Sequence, residues 1–169
     1  MKKVAILVEN MYEDLEVWYP LLRMKEEGFE VKVIGSGTAK EYKGKYGYPI
    51  TVDLNVKQAN PDDFDAVVIP GGFSPDFMRR VPEMIEFVRL VGAKGKILAA
   101  ICHGPWMLVS ANVLRGKTVT SFFAIKDDVV NAGAIWVDKE VMVDGNIITS
   151  RKPQDLPHFC KEIIKKLKD

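Results

Sequence analysis

Lys96-Ile97-Leu98-Ala99-Ala100-Ile101 runs without a break into Cys102-His103-Gly104-Pro105, and Trp106 to Leu114 follows with a helical pattern. A short run of small and apolar residues is what a strand buried on both faces requires. Glycine and proline mark the turn, and proline suits the first turn of a helix. The expected unit is a strand, a tight turn carrying a thiol, and a helix start. Such a turn lifts a side chain out of the sheet and aims it at the positive end of a helix, where a thiolate is favoured. Hydrolases with a serine on a strand-to-helix elbow use the same geometry. Cys102 is therefore the candidate reactive centre.

The rest of the chain repeats the alternation. Val4–Val8 reads as a first strand, and Glu13 to Glu27 as a helix with apolar rows at Leu15, Trp18, Leu22 and at Val17, Leu21, Met24. Pro20 is expected to kink that helix. Strands follow at Glu30–Ile34, Asp65–Ile69 and Lys117–Thr120, with a loop or short hairpin over Lys40–Leu54. Helices are expected at Pro82–Val91, Ala124–Asn131 and Gln154–Lys168, and a hairpin over Val141–Thr149 turns at Asp144-Gly145. Strands alternating with helices predict an α/β fold with a parallel sheet covered on both faces. No linker or repeat divides the 169 residues, so residues 1–169 read as one domain.

Composition narrows the function. Apolar residues make up 47% of the chain and charged residues 28%, with a net charge of +1. Without a basic field, nucleic acid and acidic membranes are not expected partners. No apolar run approaches the ~18–20 residues of a membrane span. Two cysteines and no export signal point to a reducing cytoplasm. Gly35-Ser36-Gly37-Thr38-Ala39-Lys40 resembles a dinucleotide loop only in part, since Lys40 occupies the third glycine position. With two histidines far apart and no Cys-x-x-Cys, no metal site and no cofactor is expected.

The remaining candidates divide by context. Cys160 falls in the apolar stripe of the last helix and reads as a buried, inert hydrophobe. His158 reads as solvated on that helix's polar side. His103 follows Cys102 directly, and only a bend at the turn brings its ring toward a substrate. Gly71-Gly72 ends the third main strand, either as a plain terminator or as a source of N–H groups for a developing oxyanion. Asp127-Asp128 reads as a solvated surface pair. In an open parallel sheet, ligands bind beyond the carboxyl ends of the strands. The ends at Val8, Ile69 and Ile101 converge on that rim.

Ala99-Ala-Ile-Cys-His-Gly-Pro105 resembles the nucleophile motif of the ThiJ/PfpI superfamily. The similarity extends to Asn10-Met-Tyr-Glu-Asp-Leu-Glu16, Val68-Ile-Pro-Gly-Gly72, Ile125-Lys-Asp-Asp128, Asn131-Ala-Gly133, Val143-Asp-Gly-Asn146 and Thr149-Ser-Arg151. The resemblance implies a flavodoxin-like three-layer sandwich close to the class I glutamine amidotransferases, with Cys102 as nucleophile. It implies that Glu13 is a protonated acid beside the sulfur and that the Gly72 and His103 amides form an oxyanion hole. His103 would shuttle a proton, assisted by an acid from a neighbouring subunit. Asp76 occupies the position of that acid, one methylene shorter than the family's Glu, and Phe122 stands where close archaeal relatives often have Tyr. The implied protein is a cytoplasmic homo-oligomer, from dimer to hexamer, hydrolysing peptides. The alternatives are a glyoxalase or deglycase acting on small carbonyls, and a redox sensor or chaperone whose Cys102 is oxidised.

Overall fold

The computed structural model describes all 169 residues. Seven strands form the central sheet in the order β10-β11-β7-β6-β1-β2-β5. They are β1 (Lys3–Val8), β2 (Glu30–Gly35), β5 (Leu54–Asn55), β6 (Ala66–Ile69), β7 (Ile97–Ile101), β10 (Met142–Asp144) and β11 (Ile147–Ser150). All neighbours pair in parallel except β10 with β11. The helices are α1 (Asp14–Glu26), α2 (Ser74–Met78), α3 (Pro82–Ala93), α4 (Pro105–Ser110), α5 (Lys126–Asn131) and α6 (Leu156–Lys168).

Alternation along β1 assigns the two faces. Val4, Ile6 and Val8 meet α1 and α6 in one core, while Ala5 and Leu7 meet α3 and α4 in the other. Every residue of β6 and β7 is buried, as expected for strands covered on both sides. The α6 stripe of Leu156, Phe159, Cys160, Ile163, Ile164 and Leu167 is buried as its spacing requires. Each such side chain contributes roughly 1.5–3 kcal/mol by leaving water. The result is a flavodoxin-like three-layer sandwich. No helix is long and apolar enough to cross a membrane.

Several local expectations are corrected. The buried face of α1 comprises Glu16, Val17, Pro20, Leu21 and Met24, whereas Leu15 and Leu22 are more than half exposed. Periodicity alone offered two apolar rows, and only docking on the sheet selected one. Pro20 lies inside a continuous helix, where its missing N–H leaves the Glu16 carbonyl without its usual donor. The helix after Cys102 stops at Ser110, and Asn112 adopts a left-handed φ of 56° beyond it. Strand β8 is shortened to Thr118–Val119 and pairs outside the main sheet with β9 (Ile135–Trp136). That second strand and α2 had no distinct sequence signal. The Lys40–Leu54 stretch contains a true hairpin, β3 (Glu41–Lys43) with β4 (Pro49–Thr51).

Candidate active site

Strands β1, β6 and β7 are adjacent in the sheet, so their carboxyl ends form one rim. Cys102 sits on that rim with a left-handed φ of 63°. A non-glycine residue in that conformation costs about 1–3 kcal/mol and persists only where its surroundings fix it. Here the Cys102 N–H donates to the Ser150 carbonyl at 3.0 Å and its carbonyl accepts from the Phe122 N–H at 2.9 Å. Gly104 completes the turn, since a Cβ there would lie 2.5 Å from the Ile69 carbonyl oxygen and 2.8 Å from that of Ile101. The strand–thiol–helix elbow read from the sequence is formed.

Polar groups surround the sulfur. The backbone N–H groups of Gly72 and His103 lie close enough to favour charge on it. Gly72 holds a φ of 69°, and a Cβ on it would strike the Met11 carbonyl oxygen at 2.4 Å. His103 Nδ1 lies 3.2 Å from Sγ. The two amides expected to receive an oxyanion thus both adjoin the nucleophile.

The carboxyl group against the sulfur is that of Glu16, and here the expectation for Glu13 is corrected. Glu16 is fully buried, its Oε2 accepts from the Gly71 N–H at 2.7 Å, and its side chain interacts with Cys102. Burial, reinforced by the charge of Glu13 and opposed by the Gly71 N–H, pushes its pKa up to about 8. At neutral pH it keeps its proton. Oε1 has no other partner, and an unsatisfied buried oxygen costs about 1–3 kcal/mol unless it meets the sulfur. Glu13 lines the same cavity but forms an ion pair with Lys45 at 2.5 Å. No local sequence signal marked Glu16, because packing on the sheet decides which row of α1 is buried.

The thiol itself departs from the expected low pKa. Burial pushes it up, and an ionised Glu16 pushes it further, against the His103 and Gly72 N–H groups and the Lys45 ammonium. At rest the buried thiol keeps its proton beside a protonated Glu16. Cys160 is also raised, to about 12, by burial on α6. The two thiols differ in what surrounds them: Cys102 faces donors and acids, Cys160 hydrocarbon. Burial and the Lys45 charge lower the pKa of His103, leaving a neutral imidazole able to accept a proton at neutral pH.

Lys45 had no role in the sequence reading. It rides the tip of the β3–β4 hairpin, which Asp14 anchors by accepting from the N–H groups of Tyr46 at 3.1 Å and Tyr48 at 3.2 Å. Asp76 lies at the start of α2, exposed and paired with Arg80 at 2.5 Å. The His103 ring's hydrogen-bond contact within the chain is Sγ, so Asp76 does not complete a triad in its own subunit. Asp127 and Asp128 are both exposed, as expected, and Asp128 also accepts from Trp106 Nε1 at 2.8 Å. His158 is exposed, as expected. The cavity at the rim measures about 500 Å³ and is lined by Glu13, Glu16, Lys45, Gly72, Cys102 and His103 among others, with Tyr46 and Phe73 at its mouth.

Comparison with known proteins gives a consistent result. The profile of the DJ-1/PfpI family matches residues 2–166. The protein named deglycase PfpI from Pyrococcus furiosus is 46% identical over 166 residues, covering 98% of this chain and 99% of that protein. A two-domain protein of Anabaena variabilis with DJ-1/ThiJ/PfpI-like and ferritin-like domains superimposes with a TM-score of 0.97 at 48% identity, over 99% of this chain and 48% of that one. A protein described as putative protease I from Bacteroides thetaiotaomicron gives a TM-score of 0.90 at 25% identity, over 99% of each chain.

Proposed function

This chain belongs to the DJ-1/PfpI family, and from that premise we propose that it is a cytoplasmic thiol-dependent enzyme acting on small carbonyl compounds as a glyoxalase or deglycase. One observation carries the reading. The nucleophile is only 9% exposed and lies in a cavity of about 500 Å³, which suits a small aldehyde better than an extended polypeptide. The name deglycase on a relative of 46% identity supports the same choice over peptide hydrolysis.

The chemistry follows from the groups around Sγ. The neutral His103 imidazole takes the thiol proton as sulfur adds to the aldehyde carbon of a 2-oxoaldehyde such as methylglyoxal. The oxygen that gains charge is met by the Gly72 and His103 N–H groups and is then protonated, giving a hemithioacetal. Transfer of the proton on that carbon to the neighbouring carbonyl carbon yields a thioester of a 2-hydroxy acid. Water hydrolyses the thioester, releases lactate and restores the thiol. One carbon is oxidised as its neighbour is reduced, so no external oxidant enters. Protonated Glu16 keeps like charge away from the sulfur throughout. Asp76, exposed on α2, could serve His103 of a second copy in a homo-oligomer.

The test compares wild type with Cys102→Ser on two substrates, the methylglyoxal hemithioacetal of N-acetylcysteine and casein. Wild type should release lactate and leave casein intact, and Cys102→Ser should lose lactate formation by about a hundredfold or more. Casein cleavage that depends on Cys102, without lactate, would establish the peptidase instead. A protein that turns over neither but gains the mass of two oxygens at Cys102 in peroxide would be a redox sensor.

A further inference from the structure

We propose that Trp106 is a positioning residue that, fixed by Asp128, holds the imidazole of His103 over the sulfur in the place where a same-chain carboxylate would otherwise orient it. The inference rests on the reading of His103 as the proton acceptor. A general base must present one ring nitrogen to its partner, and an acid bonded to the other nitrogen usually secures that orientation. In this chain the ring bonds only Sγ, at 3.2 Å. Aromatic rings confine it instead. Phe122 stacks on the imidazole with centroids 5.0 Å apart at 27°, and Trp106 meets it edge-on at 5.2 Å and 71°.

Trp106 is itself held by two groups, unlike a side chain that merely fills space. Its Nε1–H donates to Asp128 Oδ2 of α5 at 2.8 Å. The guanidinium of Arg79, at the end of α2, lies 5.4 Å from its ring centroid. Arg79 is anchored in turn by donation from Nε to Ser110 Oγ of α4 at 2.7 Å. The indole N–H therefore fixes the ring's rotation, and the ring limits that of His103. The charged groups around the imidazole are Lys45, Lys152, Glu13 and Glu16 within the cavity, with Arg79 and Asp128 beyond the indole. An indole offers this combination of a broad face and one directed donor, whereas phenylalanine offers only the face.

The experiment uses the full chain and four variants: Trp106→Phe, Trp106→Ala, Asp128→Ala and Asp128→Asn. With only two histidines, the ring-proton resonances of His103 are read by NMR against exposed His158 as an internal reference. Flanking rings should shift the His103 signals away from those of His158. Trp106→Ala and Asp128→Ala should move them toward the free value and raise the His103 titration midpoint as water enters. Trp106→Phe should fall between, and Asp128→Asn, which keeps an acceptor oxygen, should restore the wild-type spectrum. In turnover, kcat should fall about tenfold in Trp106→Ala with KM within twofold, the pattern of lost alignment. Unchanged His103 resonances in Trp106→Ala, or an Asp128→Asn variant no better than Asp128→Ala, would overturn the proposal. Should Trp106→Ala fail to fold, the Asp128 pair decides alone. The spectra are independent of substrate, so a protein inactive toward carbonyls still tests the clamp, and that inactivity counts only against the proposed function.

Discussion

At the scale of single residues, the site turns on where two protons sit. Glu16 and Cys102 are buried against each other, and charge on one opposes charge on the other. Once pH exceeds about 8, Glu16 surrenders its proton in the dominant form, and a thiolate exists only in the tautomer where Glu16 has taken the thiol proton. The share of that tautomer does not change with pH until a second proton leaves. Alkylation of wild-type Cys102 by iodoacetamide should therefore rise to about pH 8 and then level off. In Glu16→Gln no carboxylate forms, and the rate should continue to climb through pH 9. Parallel profiles in the two proteins would show that Glu16 does not couple to the sulfur. Cys102 was legible from its own neighbours because a strand, a thiol and a glycine turn are contiguous. Glu16 was not, because its partner lies 86 positions away and only the packing of α1 brings them together.

At the scale of elements, the β3–β4 hairpin belongs to the site although its strands lie outside the main sheet. Asp14, in the first turn of α1, accepts from two amides at the hairpin tip, and Tyr12 pairs in bridges with Gly44 on one side and Gly72 on the other. One turn thus ties the hairpin, the end of β1 and the oxyanion loop together. Hydrogen bonds to a charged acceptor contribute about 1.5–3 kcal/mol. Asp14→Ala should lower unfolding free energy by about that amount and speed hydrogen exchange at the Tyr46 and Tyr48 amides, while β1 and β6 amides keep their relative order of protection. Hairpin amides as protected as before would contradict this role. Glycines at 44 and 47 marked this stretch in the sequence as a loop or short hairpin. They could not show that the reversal carries Lys45 to the thiol, because the contact joins the hairpin to the Glu13 side chain across the rim.

At the scale of the molecule, a carboxyl group held neutral makes stability depend on pH. The folded pKa of Glu16, about 8, lies above its ordinary 4.5, so between these values the native state binds a proton that the unfolded chain has released. Stability from this group is complete below about pH 4.5 and is lost as pH rises through 8. Denaturant unfolding of wild type and Glu16→Gln at pH 5 and pH 8.5 should show wild type losing roughly a few kcal/mol more than the variant over that interval. Equal losses would place the titration elsewhere. The amino-acid sequence alone determined the layered α/β architecture, because buried parallel strands and amphipathic helices write their periods into contiguous residues. It also determined the nucleophile elbow, whose parts are neighbours in the chain. Tertiary structure decided which row of α1 faces the sheet, which glutamate meets the sulfur, that Lys45 arrives from a hairpin and that Trp106 and Asp128 flank His103. Those choices join residues far apart in sequence, and their energies exist only once the sheet has set the distances between them.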